Sequence, residues 1–374
     1  MIMCCVVALF LIRISQHYLL ICYIISYVAL LTISIIFIMK KTLSIILVLV
    51  ISLVLIITLV NKNKTEKPGT SSDRQEVSIA VNPWIGSGVY YVAEEKGFFV
   101  NNGVDVKLTD FLDGAVGKQL IASGRVDAIA SLTPETSVLL ADAGVNAKVI
   151  AITDLSTGAD GIIADSSISG LEDLRGKKVA FESGSPSQFF LEYLLQEIGM
   201  SSKDLQVVDT PSPDAGAAFV AGSVDAAVTW EPWISQANQR DGGKILVNST
   251  DVPILPGMLL ARESAIDQKS QELVLVVDAL FEAAQWIQDN QNEAAEIMAR
   301  RFAITEQDVI DQYPTFRFVT LAENQKSFNQ TGEIKVFSLV EEAKTIWSNL
   351  GFLENENSID VNNLVTDSII KLVK

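Results

Sequence analysis

The sequence predicts an α/β protein of two similar lobes joined by a hinge, preceded by an N-terminal transmembrane helix. Three observations predict it. Residues 124–134 (Gly-Arg-Val-Asp-Ala-Ile-Ala-Ser-Leu-Thr-Pro) and 222–232 (Gly-Ser-Val-Asp-Ala-Ala-Val-Thr-Trp-Glu-Pro) repeat one unit, each behind a small-residue helical run. In each copy Gly ends the helix, an apolar run gives a strand, and a polar loop with Pro opens the next helix. From residue 77 onward, strand-like and helix-like segments alternate, the pattern of an α/β fold. Near residue 68 the composition shifts from almost continuously apolar to mixed.

Residues 1–61 form the apolar leader. Thr42 to Val60 is a 19-residue run without a charge, long enough to span a bilayer; residues 18–39 are a second candidate span. Met39-Lys-Lys before that run has the form of a secretory signal, which makes residues 1–38 a candidate untranslated extension. The alternative is a helical hairpin with Lys40 and Lys41 in a cytoplasmic turn. Both place residues 69–374 outside the cytoplasmic membrane. The run lacks a small-x-small cleavage site and a lipid-accepting Cys at its end, so an uncleaved anchor is expected. Residues 62–76 are a polar linker without periodicity.

Cys4, Cys5, Cys22 and His17, all the cysteines and the single histidine, lie in the leader. The remainder therefore lacks thiol nucleophiles, His bases, disulfides and Cys/His metal sites, so no metal, no cofactor and no enzyme activity is expected. Six of the 28 basic residues and one of the 45 acidic ones precede residue 69, leaving 22 basic against 44 acidic. That balance argues against a nucleic-acid partner and suits a solvated surface.

The elements follow in order. Val77 to Val81 is a strand, Asn82 to Gly88 its loop, and Val89 to Lys96 a helix stopped at Gly97. Phe98 and Phe99 pack inward, Asn101-Asn-Gly103 turns, and Val104, Val106 and Leu108 alternate as a strand. After the first repeat, Ala147 to Thr153 is a strand and the polar Asp154 to Gly161 crosses between lobes. Lys177 to Glu182 is a strand, with Ser185 as N-cap and Pro186 opening the next helix. Leu205 to Asp209 is a strand and Ser212-Pro-Asp214 caps a helix. Ile245 to Asn248 is a strand, and Asp251 to Gly257 crosses back. From Ser264 on, amphipathic helices follow, with Trp286 and Trp347 as core. The lobes are thus 77–155, then 156–250, then a return to the first lobe with C-terminal helices over 251–374. Two crossings let the lobes hinge.

Tyr91-Val-Ala-Glu-Glu-Lys-Gly-Phe-Phe-Val-Asn-Asn-Gly-Val-Asp-Val-Lys-Leu108 resembles the N-terminal pattern of solute-binding proteins of nitrate/sulfonate/taurine ABC importers, whose superfamily includes thiamin-pyrimidine-precursor binders. Asp154 to Gly161, Asp173 to Val179, Ala217 to Gly222 and Val228 to Trp233 match in order, so the resemblance covers roughly residues 77–320. It implies a type II periplasmic-binding-protein fold and capture of a small nitrogen- or sulfur-containing solute. Its implied partners are an ABC permease and its cytoplasmic ATPase, with a monomer anchored at the extracytoplasmic face. Asp154–Gly161 and Trp230-Glu-Pro resemble more closely a subgroup linked with urea- or guanidine-type nitrogen metabolism. Relatives are often cleaved or lipid-modified, and this chain lacks both signals. A cationic or planar solute, and a membrane-tethered sensor, are the alternatives.

In open α/β sheets ligands sit beyond the carboxyl ends of strands. Trp84 and Trp230 close such strands and are candidate walls, since an aromatic face stacks on planar or cationic groups; Trp233 is expected on its own helix. Thr133, Ser183, Ser185 and Ser187 stand at helix starts, where a hydroxyl caps and free N–H groups can hold an anion. Ser156 lies in the first crossing. Glu135, Asp154, Asp160, Glu182 and Glu231 are carboxylates near the proposed cleft that suit a cation or zwitterion. Glu135 and Glu231 also sit where a helix dipole favours an acid without any ligand.

Overall fold

The computed structural model describes residues 75–374 except Asp113, with Ser131 and Leu132 described by backbone alone. The leader, with the anchor expected in it, and most of the linker lie outside the described residues. No helix among those described is long and apolar enough to cross a membrane.

Eleven described strands form two sheets. The first is ordered β11-β4-β10-β3-β1-β2 and the second β7-β6-β8-β5-β9. Their ranges are β1 Val77–Val81, β2 Val106–Asp110, β3 Ala128–Leu132, β4 Ala147–Ser156, β5 Asp160–Asp165 and β6 Lys178–Phe181. The remainder are β7 Gln206–Asp209, β8 Ala226–Trp230, β9 Gly243–Asn248, β10 Pro256–Arg262 and β11 Phe316–Phe318. The helices that matter below are α1 Gly88–Glu95, α2 Gly114–Ala122, α3 Pro134–Asp142, α4 Pro186–Glu197 and α5 Ser212–Val220. They are followed by α6 Ser270–Asp289, α7 Gln291–Phe302 and α8 Val336–Leu350.

Both lobes use one plan. β1 pairs in parallel with β2 and β3, and β3 pairs antiparallel with β10. Likewise β6 pairs in parallel with β7 and β8, and β8 pairs antiparallel with β5. In each sheet the antiparallel strand arrives from the other lobe: β5 follows β4, and β10 follows β9. The chain thus crosses at Thr157–Ala159 and again at Ser249–Leu255.

The sequence repeat has a physical basis in this plan. Asp127, before β3, accepts from the backbone N of Ser78 at 2.8 Å and from its hydroxyl at 2.7 Å. Lys269 Nζ lies 2.8 Å from the same carboxylate and, with Ser78, holds it below the usual range against the cost of burial. Asp225, before β8, accepts from the backbone N of Lys178 at 2.8 Å. In both lobes the repeated Asp ties the third strand's entry to the first strand, satisfying a backbone donor that the short ladder leaves free.

The central strands are buried on both faces, so they read as apolar runs rather than alternating ones. β1, β4 and β10 are almost wholly buried; α6 buries Leu273, Val276, Val277, Leu280, Ala283 and Ile287 at helical spacing and packs on α1 and β4. Ser185 caps α4 as expected, accepting from Gln188 N. Three expectations are corrected. Asp154–Gly161 does hold the crossing, at Thr157–Ala159, but its ends are strand, because β4 runs on to Ser156 beside β10 and β11 while β5 starts at Asp160; ladder pairing outweighs local polarity. Ser212 is the first residue of α5 and Pro211 its N-cap. Trp347 is fully buried, whereas Trp286 is only half-buried, its ring beneath Lys96 Nζ at 4.6 Å.

Candidate functional site

The strand directions bring two edges together at the crossings. β1, β3 and β4 end at one edge of the first sheet, delivering Trp84, Thr133 with Glu135, and Asp154. At the facing edge of the second sheet, β6 and β8 end and β5 begins, delivering Glu182, Trp230 with Glu231, and Asp160. The register places Asp160 opposite Trp230, and Glu231 N donates to Ala159 O at 2.8 Å.

Asp154 is fully buried at the end of β4. Trp84 Nε1 donates to its Oδ2 at 2.6 Å and Thr153 Oγ1 to its Oδ1 at 2.8 Å. Burial still pushes its carboxyl up to about 6, despite these two donors. Two glycines make the seat. A Cβ at Gly86 would stand 2.3 Å from Asp154 Oδ2, and one at Gly257 2.2 Å from Oδ1. Trp84 thus orients a carboxylate and meets Phe316 edge-on at 6.5 Å.

Glu135, in the first turn of α3, is fully buried. Its Oε1 accepts from Thr133 at 2.6 Å and from Thr136 at 3.1 Å, while Oε2 has no hydrogen-bond partner. Burial raises its carboxyl; the Thr133 and Thr136 hydroxyls and the charge of Lys118 oppose that. Thr133 occupies the N-cap position of α3 but spends its hydroxyl on Glu135.

Asp160 is pushed up to about 7, chiefly by burial. Ser156 counters this, while the charges of Asp154, Glu231 and Glu135 add to it. Asp160 is thus within range of the charges of three other carboxylates, two from the first lobe and one from the second. The Tyr90 hydroxyl is buried without a partner, and burial with the charge of Asp154 raises its pKa.

The other candidates divide. Ser156 Oγ and Gly158 N both meet Ser249 Oγ at 2.7 Å, a clasp that joins the two crossings. Glu231 spends both oxygens on Ser235, at 3.0 Å to its N and 2.7 Å to its hydroxyl. Ser187 pairs with Ser212 at 2.9 Å, and Ser185 donates to Glu182 O at 2.6 Å. Ser183 is exposed and its N donates to Asp209 at 3.0 Å. Trp230 is half-buried at the second-lobe edge, and Trp233 packs on Gly216 of α5.

Lys118, Tyr90, Thr153 and Ser249 escape the sequence analysis. Lys118 lies inside α2, yet its Nζ reaches Gly184 O at 3.2 Å across the lobes. Only strand order brings these residues to the edge, and no local signal marks them. An open recess lined by Glu296, Arg300 and Thr305 lies on the helical side and holds none of these residues.

A family model described as the NMT1-like family matches residues 70–303. A protein of Bacillus subtilis (strain 168) named as aliphatic sulfonates-binding is 31% identical over 216 residues, 55% of this chain and 64% of that protein. The chain therefore spans just under two thirds of that relative's length. The periplasmic aliphatic sulphonate binding protein SsuA from Escherichia coli superposes with a TM-score of 0.67 at 18% identity, over 79% of this chain and 92% of that one. The periplasmic nitrate-binding protein NrtA from Synechocystis PCC 6803 does so at 0.62 and 16%, over 80% and 88%. These likenesses show the two-lobed periplasmic-binding-protein fold.

Proposed function

The chain belongs to the NMT1-like family, and we propose that it is the extracytoplasmic solute-binding component of an ABC importer. Its cargo is a small nitrogen- or sulfur-containing solute of the nitrate/sulfonate/taurine class. The observation that carries this is the meeting of two equivalent strand-end edges at a double crossing, with buried polar groups at the edge of each lobe. A solute there stabilises lobe closure, and the closed form docks on a permease powered by a cytoplasmic ATPase. The names of the Bacillus relative and of both structural neighbours support that cargo class.

The protein does no covalent chemistry in this account. Residues 69–374 hold no Cys and no His. Thr42 to Val60 tethers the binding unit to the membrane through the polar linker. Fractionation without detergent tests the tether: the chain is expected in the membrane fraction. Recovery as a soluble species of the mass of residues 69–374 would overturn it. A thermal-shift screen of the purified chain against nitrate, sulfonates, taurine, amines, guanidines and pyrimidines tests the cargo. At least one solute is expected to raise the melting temperature, since ligand bound only by the folded form stabilises it.

A further inference from the structure

The lobes adhere to each other on the side away from the crossings. We propose that the 182–184 loop of the second lobe and the first turns of α2 in the first lobe form a latch that closes the lobes without help from a solute. The inference concerns the lobes themselves and holds for any cargo.

Position is the first observation. The crossings join β4 to β5 and β9 to β10, whereas β2 and β7 are the edge strands at the opposite sides of their sheets. α2 follows β2, and residues 182–184 follow β6, the neighbour of β7. The latch therefore stands at the lip of the cleft, where hinge opening moves the lobes most. Geometry is the second. Lys118 Nζ donates to Gly184 O at 3.2 Å. Gly114 lies one turn earlier on the same face of α2, and a Cβ there would stand 3.8 Å from Glu182 Oε1. A Cβ at Gly184 would stand 3.9 Å from Leu139 Cδ1 of α3. Two helices of the first lobe thus meet one loop of the second.

The loop is also held from behind by its own lobe. Glu182 Oε2 accepts from Ser212 N and from Ser212 Oγ, each at 3.3 Å. Ser183 N donates to Asp209 at 3.0 Å and Gly184 N to Gln188 Oε1 at 2.8 Å. Gly184 has a φ of 66°, a left-handed backbone that glycine adopts without strain. A loop already ordered loses little freedom when it docks, so the contact keeps most of its energy. The bond across the lobes is charge-assisted, and Lys118 is half-buried, which shields it from water and salt. The charge of Lys118 also acts on Glu135 in its own lobe, so one variant in the test leaves Lys118 in place.

The test is the distance between the lobes, read by pulsed electron paramagnetic resonance on the purified full chain with no solute added. Spin labels go on Lys107→Cys in β2 and Val207→Cys in β7, both exposed and both on the strands farthest from the crossings. The leader cysteines are removed as Cys4→Ser, Cys5→Ser and Cys22→Ser. The labelled parent is expected to populate a short distance. Lys118→Met removes the ammonium and keeps an apolar stem. Gly114→Leu drives a branched side chain toward Glu182 and suits a helix better than glycine does. Each is expected to lower the ratio of short to long distances at least about threefold, the scale of one charge-assisted hydrogen bond. The melting temperature of each should stay near that of the parent, which separates a lost latch from lost folding. A parent that shows the long distance alone, or a ratio that either variant leaves unchanged, would overturn the latch.

Discussion

Asp160 carries the clearest solution signature at the residue scale. Burial first, then its acidic neighbours, lift its carboxyl from 3.8 to about 7, and Asp154 rises to about 6. A folded acid with a raised pKa holds its proton after the unfolded chain has lost it. Between these values the folded state binds more protons, so stability falls as pH rises. Asp127 and Glu323, whose carboxyls are lowered, act the other way, but only as pH drops through the acid range below their ordinary values. The ligand-free protein is therefore expected to melt at a higher temperature near pH 5 than near pH 8. Asp160→Asn should flatten that slope, and an unchanged slope would contradict the assignment. The charged groups facing Asp160 are Asp154, Glu135 and Glu231, with Lys118 behind Glu135. A second variant tests the seat of Asp154. Gly257→Ala would put a Cβ 2.2 Å from its Oδ1, so solute affinity should fall more than tenfold, by an order-of-magnitude estimate for a misplaced buried charge. Asp154, Glu135 and Trp84 were legible in the sequence because each follows an apolar strand. Their roles were not: Trp84 reads as a stacking wall and proves to be a hydrogen-bond donor to Asp154.

The two crossings decide behaviour at the element scale. Ser249 accepts from Gly158 N and meets Ser156 Oγ, so one hydroxyl joins the outgoing and returning chains. Ser249→Ala should cost about 1 kcal/mol or slightly more, because it strands a buried backbone N–H. The variant is expected to keep equilibrium affinity within a few-fold while speeding solute exchange, which stopped-flow fluorescence would report; unaltered exchange would remove Ser249 from the hinge. The repeated Gly-x-Val-Asp unit made the two-lobed plan visible, since each Asp ties the same strand pair in its lobe. β5, β10 and β11 were not visible. Their partners lie in distant sequence, and Ile162-Ile-Ala164 or Met258-Leu-Leu-Ala261 show no period that separates a buried strand from a helix segment.

At the scale of the whole molecule, the lobes touch beyond the crossings. α8 packs on α3 of the first lobe, while Glu342 accepts from Gln196 of α4 and Lys203 Nζ donates to Asn349 O at 3.3 Å. Lys118 adds a contact on the cleft side. The exposed Lys203 contact is individually weak, which suits lobes that part and close. Truncating Lys203 should therefore leave the melting temperature within about 2 °C, given that surface pairs contribute under about 1 kcal/mol. It should instead shift the open–closed balance seen by small-angle scattering. The central claim is that one solute is gripped by both strand-end edges. Amide hydrogen exchange on the full chain, with and without the tightest-binding solute of the screen, tests it most directly. Simultaneous protection of residues 133–136 in the first lobe and 229–232 in the second, with the Thr157–Ala159 crossing, is the expected result. Protection confined to one lobe, or absent from both while the solute is bound, would contradict it.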